Sequence, residues 1–448
     1  MYFSYCSVED EYIYFVCIVL MLISHIAADT VEKEITLQGW IKHARGSGKI
    51  AFIELRDGTG FIQCVAELSN LGEEKFSILA WLNIESSLSL TGTVSKHPKK
   101  DEYELQVSGF HVYCSTKDYP LGQKEHNPDF LFDMRHLHLR APSQWAIQRI
   151  RDTVIHATYD WMRDHDFTKI DSPIFTPNAC EGTTELYEVE HVNGEKMYLS
   201  QSGQLYLEPA IASLGRVFDF GPVFRAEKSK TRRHLNEFWM MDAEIAFIQQ
   251  EENMQIQEDL MYYIIQEVLT KNTKELEVLW RDMAALQGIQ KWFKRVKYVD
   301  WVNELIELGF DVKQGDDIGS DIEMQYCEKI DQPIFVTNFP TSFKAFYFKE
   351  DPENPGTVLG SDLLAPEGCG EIFGGGTRED DYEKLLHKIK EHGLPVEQFE
   401  RYLDTRKYGG VPHAGFGYGL ERIVRWVCGV HHIRETIPFP RYANRISP

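Results

Sequence analysis

Residues 224–238 read "FRAEKSKTRRHLNEF". The cations Lys228, Lys230, Arg232 and Arg233 crowd the centre of this stretch, although the 448-residue chain carries a formal net charge of -22. Apolar, β-rich segments flank it, "RVFDFGPVF" from residue 216 and "EFWMMDAEIAF" from residue 237. The pattern reads as a long hairpin with a basic loop between two strands. By the two-residue period of a pleated strand, Arg225 and Glu227 share one face of the outgoing strand. Phe238, Asp242 and Glu244 share one face of the returning strand. A fixed guanidinium clamps phosphate bidentately, and a phenylalanine face stacks on a purine. The set suits a nucleotide; a solvated basic hairpin with a core ring is the plainer alternative.

The far end of the chain offers a counterpart. In "YGGVPHAGFGYGLERIVRWVCG", glycines recur through Gly415, Gly417 and Gly419, and helical spacing follows at Leu420, Ile423, Val424 and Val427. A glycine-rich strand running into a helix allows close approach of backbone and ligand. It also sets Arg422 in a helix's first turn, where backbone amides favour anions. Between the two segments lies "GEIFGGGTRE", whose Glu371 could hold Mg²⁺ through carboxylate oxygen.

With 43% hydrophobic and 26% charged residues, the chain is compositionally globular, and its length allows two or three domains. The acidic balance argues against bulk coating of nucleic acid but permits a local basic site. Eight cysteines lie scattered with no CxxC pair. That disfavours a zinc site and suits reduced thiols in a cytoplasmic protein. Residues 12–28, "YIYFVCIVLMLISHIAA", are almost wholly apolar. The run barely reaches the ~17–25 residues of a membrane span, and acids rather than bases precede it, unlike a signal peptide. The expectation is an N-terminal extension of unknown role over 1–29 and no stable membrane association.

Five short β-rich segments between Val31 and Cys114 fit a five-stranded OB-fold barrel over 30–116. Residues 117–140 read as a hinge without periodicity. From 141 to 448 helices and strands mix, with strands expected at "KMYLSQ", "RVFDFGPVFRAE", "NEFWMMDAEIAF", "PIFVTNFP", "FKAFYFK" and "GEIFGGG" and helices over 143–167, 251–272 and 379–394. The fold class is α+β, with an antiparallel sheet flanked by helices.

Taken in order, "KIDSPIFTP", "FRAE…RRHLNEF" and "GFGYGLERI" resemble motifs 1, 2 and 3 of class II aminoacyl-tRNA synthetases, over residues 32–448. Together with "QSGQLYLE" and "RKYGGVPHAGFGYGLERI", the match resembles asparaginyl-tRNA synthetases of the compact bacterial type. The resemblance implies an antiparallel catalytic domain that dimerises through motif 1 around Pro173. It also implies ATP-dependent, AMP-forming transfer of asparagine to tRNA(Asn).

Carried over by position, Arg225 would bind the α-phosphate, Glu227 would lie near the adenine or the tRNA end, and His234 would face the departing pyrophosphate. Phe238 would stack on adenine, and Gly419 and Arg422 would hold the nucleotide from the other side. Glu371 and Asp362 would ligate Mg²⁺. Glu181, Ser202 and Gln204 would surround the amino acid's own amino and carboxyl groups. Leu207 stands where aspartyl enzymes carry a lysine, so it favours a neutral asparagine. Arg378 would donate to the side-chain oxygen, and Asp242 would contact the amide or the α-amino group. In the barrel, Phe52 and Gln63 match the anticodon readers, with Lys42, Arg45 and Lys49 beside the RNA backbone. A core role for Phe52 is the alternative. Because Asp242 is the shorter acid found in aspartyl enzymes, an aspartyl-tRNA synthetase, perhaps a non-discriminating one, is the second reading. A free asparagine-forming ligase on the same core is a third, against which the barrel argues.

Overall fold

Alternation of apolar and polar residues along five segments closes the N-terminal unit into a barrel. The computed structural model describes residues 21–122, 124–177, 180, 186–227 and 234–447, which divide into two units between residues 126 and 127. The barrel strands are β1 (Glu34–Ser47), β2 (Ile50–Arg56), β3 (Phe61–Glu67), β4 (Ser87–Lys96) and β5 (Tyr103–Cys114), closed in the order β1-β2-β3-β5-β4. Leu37, Ile41, Ile53, Leu55, Cys64, Leu90 and Leu105 point inward with no exposed surface. Ile23 joins this cluster, its amide donating to Asp57 Oδ2 at 2.7 Å. The barrel's packing therefore starts before residue 30, and only residues 1–20 of the expected extension lie outside the described residues. No helix among the described residues is long and apolar enough to cross a membrane.

The second unit holds two further sheets. The small strands β7 (Phe175–Thr176), β8 (Glu188–Glu190) and β9 (Lys196–Leu199) form one of them. The other runs β12-β13-β14-β15-β16-β11-β10-β6 and is antiparallel except at its two edges. Its members are β6 (Thr168–Lys169), β10 (Arg216–Phe224), β11 (Glu237–Ala246), β12 (Lys294–Lys297), β13 (Ile334–Thr337), β14 (Gly360–Ala365), β15 (Gly370–Thr377) and β16 (His413–Gly419). Helices α1 (Pro142–Asp164), α3 (Gln250–Lys271) and α4 (Leu420–Cys428) bury their apolar stripes in one core with this sheet. Helix α2 (Gln204–Leu214) packs against β10 and β11.

Three expectations are corrected. The second half of the expected hinge belongs to the second unit, where Arg135 is buried and donates to the carbonyls of Glu435, Ile437 and Pro438. "FKAFYFK" is not a strand. Phe343 closes the 3-10 turn Thr341–Phe343, and Phe348 makes only an isolated bridge to Arg378, although Phe346, Tyr347 and Phe348 are all buried. Strand β10 ends at Phe224, so Arg225 and Glu227 sit beyond it rather than on one of its faces. They are held instead by Asn236, whose side-chain amide donates to their carbonyls at 2.7 and 2.9 Å.

The glycines of β16 have a packing cause as well. Gly415 pairs with Glu244 and Gly417 with Asp242. A Cβ at Gly415 would lie 2.1 Å from Glu244 Oε1 and 2.4 Å from the Ala243 carbonyl oxygen. Bare backbone here makes room for the buried acids of β11. Gly415→Ala is expected to lower stability by about 1–3 kcal/mol through overpacking, measured by denaturant unfolding; an unchanged midpoint would show that the acids move aside freely.

Candidate active site

The hairpin of β10 and β11, the β14–β15 pair and the β16–α4 junction meet around one cavity of about 290 Å³, close to the lower bound for ligand pockets. Arg225, Glu227, His234 and Phe238 border it from the hairpin, and Gly419 and Arg422 from the junction. The Arg225 guanidinium lies 5.4 Å from the centre of the Phe238 ring, within cation–π range. Glu227 and His234 approach to 3.5 Å. Phe238 is anchored by Leu235, Ile433, Ile437 and Tyr442, and a Cβ at Gly419 would touch its ring at 3.7 Å. An aromatic ring with one guanidinium over it and a second guanidinium bordering the same cavity is thus assembled from residues nearly two hundred positions apart.

Arg422 Nη1 donates to Glu371 Oε2 at 3.0 Å and to the Glu371 carbonyl at 3.1 Å. Asp362, on β14, accepts from Lys344 at 2.7 Å. A Cβ on Gly374 would stand 3.0 Å from Glu371 Oε1 and 3.7 Å from Asp362 Oδ1, so both carboxylates converge beside one glycine. Burial pushes Asp362 up to about 6, opposed by Lys344 and reinforced by Glu371. Two hard oxygen donors that face a cavity fit Mg²⁺. Lys344 is a cavity residue that the sequence reading missed; nothing in "TSFKAFY" marks one lysine among many.

Ser202, Gln204, Asp242 and Arg378 border the other end of the cavity. Asp242 Oδ2 accepts from the Ser202 hydroxyl at 2.9 Å and from the Gly203 amide at 2.7 Å. Burial nonetheless pushes its carboxyl up to about 6, the two donors pulling the other way. Leu207 does not reach the cavity. It is fully buried with Ile211 and Val217, because the helical i,i+4 spacing of α2 groups 207 with 211 and 204 with 208. Glu181 and the cations Lys228, Lys230, Arg232 and Arg233 lie outside the described residues.

Behind Gln204 and Arg378 stands a buried polar layer that the sequence reading did not find. Glu208 accepts from Gln204 at 3.0 Å, Tyr402 at 2.8 Å and His413 at 3.0 Å, and from Arg406. Burial alone would raise its pKa; Arg406 and His413 outweigh that and lower it. Glu244 holds Arg378 through Nε at 3.0 Å and Nη2 at 2.5 Å. Burial alone would lower the Arg378 pKa, but Glu244 prevails and keeps the guanidinium charged. Donor atoms of Glu208, Glu244 and His413 lie within 4.8 Å of one another. Guanidiniums already fill the positions that a cation would take, so this cluster is an ion-pair layer rather than a metal centre.

In the barrel, Phe52 is half-buried on the outer surface, outside the barrel's core cluster, with the Arg45 guanidinium 5.2 Å from its ring centre. Gln63 lies on the neighbouring strand β3 and donates to Glu104. The described cysteines are all unbridged, and only Cys114 among them is exposed.

The sequence model of the class II tRNA synthetases (D, K and N) matches residues 127–443. The chain belongs to the class II tRNA synthetases. For this synthetase the barrel matches the OB-fold nucleic acid binding domain over residues 35–113. The asparagine–tRNA ligase of Pelotomaculum thermopropionicum is 50% identical over 429 residues, which cover 96% of this chain and 99% of that one. The asparaginyl-tRNA synthetase of Pyrococcus horikoshii, solved with asparaginyl-adenylate, superposes with a TM-score of 0.92 at 39% identity, covering 96% and 100% of the two chains. The aspartyl-tRNA synthetase of Entamoeba histolytica matches at 26% identity and a TM-score of 0.80, covering 96% and 93%.

The raised pKa of Asp242 carries a sign. Below its ordinary value of 3.8 its contribution to stability is fully present, and it is lost as pH rises through about 6. Asp242→Asn stays neutral throughout. The stability of Asp242→Asn relative to the parent is therefore expected to rise by about 1 kcal/mol between pH 5 and pH 7.5. Urea unfolding at the two values checks this, and a constant difference would show that Asp242 is not held above its usual range.

Proposed function

We propose that the chain is an asparagine–tRNA ligase. It activates asparagine with ATP to asparaginyl-adenylate, releasing pyrophosphate, and passes the asparaginyl group to the 3' end of tRNA(Asn). The observation that carries this reading is the meeting of Arg225, Phe238 and Arg422 around one cavity in a chain 50% identical to an asparagine–tRNA ligase. Adenine would lie on Phe238, with Arg225 on the α-phosphate and Arg422 on the far end of the triphosphate. His234 would face the pyrophosphate as it leaves. Asp362 and Glu371 would hold Mg²⁺, which supplies neutralising charge to the phosphates. The rest of the acceleration is positioning and electrostatic stabilisation by fixed donors.

Ser202, Gln204 and Asp242 would receive the amino acid's α-groups, and Arg378 its side-chain oxygen. The aspartyl reading is less well supported: identity to an aspartyl enzyme is 26%, against 50% to an asparagine–tRNA ligase. The free-amino-acid ligase is disfavoured by the barrel, where Phe52 and Gln63 suit recognition of unpaired anticodon bases by stacking and edge contacts. Exposed Ile174 and Phe175, next to Pro173, support a homodimer through this segment. The reduced cysteines support a cytoplasmic setting.

Pyrophosphate exchange with asparagine and aspartate side by side tests the assignment: asparagine-dependent exchange is expected, and exchange with aspartate alone would overturn it. Arg422→Ala is expected to reduce exchange by ~10²-fold or more with little change in melting temperature; a collapse of the melting temperature would make its role structural. Phe52→Ala is expected to weaken tRNA charging while exchange stays normal; equal loss of both would remove Phe52 from tRNA recognition.

A further inference from the structure

Two ion pairs line the cavity beside β14 and β15. Glu371 gives Oε2 to Arg422 at 3.0 Å, and Asp362 gives Oδ2 to Lys344 Nζ at 2.7 Å. The other oxygens, Glu371 Oε1 and Asp362 Oδ1, are the ones that converge beside Gly374. The proposed function employs both acids and Arg422 but gives Lys344 no part.

Lys344 is suited to changing partners. The backbone that follows it is tied down, because the Glu379 amide donates to the Tyr347 carbonyl at 2.8 Å and Lys388 Nζ donates to the Phe348 carbonyl at 2.8 Å. The side chain is the mobile part: a compact point charge on a flexible four-carbon stem, with three rotatable donors. Its ammonium lies 3.9 Å from the centre of the Phe339 ring, within cation–π range, so part of its stabilisation survives the loss of the carboxylate. Lys344 also borders an adjoining pocket of about 220 Å³, together with Phe339, Asp362 and Glu371, which gives the stem room to turn. One ammonium on Asp362 competes poorly with a doubly charged cation that faces two carboxylates at once. Once Asp362 and Glu371 face such a cation, like charge repels the ammonium, and the phosphate oxygens of the incoming nucleotide are the anions left for it. We propose that Lys344 is a further phosphate-binding residue of the reaction: Asp362 holds its ammonium in reserve and, on turning to a divalent cation, releases it to the outer phosphates of the triphosphate, where it acts with Arg422. Every charge is then partnered before and after, since the cations that leave the acids meet phosphate. The proposal rests on the asparagine–tRNA ligase reading and adds to it a residue that this reading leaves idle.

The test compares the parent with Lys344→Met, which keeps the length of the stem and removes the charge. Mn²⁺ titrated into the nucleotide-free protein and followed by electron paramagnetic resonance is expected to bind the variant at least about threefold more tightly, because no ammonium competes for Asp362. In pyrophosphate exchange, KM for ATP and KM for pyrophosphate are each expected to rise at least about tenfold, with KM for asparagine unchanged. Mn²⁺ affinity that is unchanged or lower would make Lys344 a strut that orients Asp362. Unchanged KM values for ATP and pyrophosphate would confine it to its ion pair. Either result overturns the proposal. If Lys344→Met yields no folded protein, Lys344→Gln is judged by the same two measurements. A parent that shows no asparagine-dependent exchange refutes the functional reading instead, so the two failures are separable.

Discussion

The antiparallel pairing of β11 with β16 decides where everything in the cavity stands. It joins residues 237–246 to residues 413–419, two segments with no local reason to meet. Once Met240 pairs with Gly419, the Phe238 ring falls beside the junction and Arg422 follows in the first turn of α4. A slip of one residue would turn Asp242 and Glu244 to the opposite face. That slip is barred by the glycines, because only Gly415 and Gly417 leave room for those carboxylates. The acids thus fix the register, and the register builds the site.

Carboxylates anchor cations at both ends of the cavity. Beside β14 and β15, Arg422 is paired with Glu371 and Lys344 with Asp362; beside α2, Arg378 is paired with Glu244 and Arg406 with Glu208. A buried polar layer of this kind tolerates little error, because losing one member leaves its partner unsatisfied in a low dielectric. Tyr402 and Arg406, one turn apart on the helix Val396–Lys407, and His413 shortly after it saturate the distant Glu208.

Much of this was legible in the sequence, and the gaps have physical causes. The barrel strands were readable because each buries one face and so alternates; in the large sheet, buried on both faces, the apolar or glycine-rich runs of β10, β11, β15 and β16 were readable, while β14 was not expected. Arg225, Phe238, Glu371 and Arg422 were readable because their motifs are local. Glu208 was not, since an acid inside an apolar helix looks like a surface residue until its distant partners are known. Lys344 and Arg135 were missed for the same reason: their partners lie on other segments, and no spacing rule foretells them. The strand assigned to "FKAFYFK" failed because aromatic content imitates β propensity, whereas this segment pairs with a neighbour only through an isolated bridge at Phe348. Leu207 was read as a contact when its neighbour Glu208 turns toward the polar layer instead.

In the structure Arg422 is bound to Glu371 and Lys344 to Asp362. A small lone anion such as chloride or sulfate gains little there, because it would have to strip an arginine from its acid and leave that acid bare. On the proposed function, a triphosphate that brings its own divalent counter-ion would replace both halves of each pair at once. Internal pairing would then act as a filter on composition, favouring the salt of a nucleotide over the free ions of the surrounding medium.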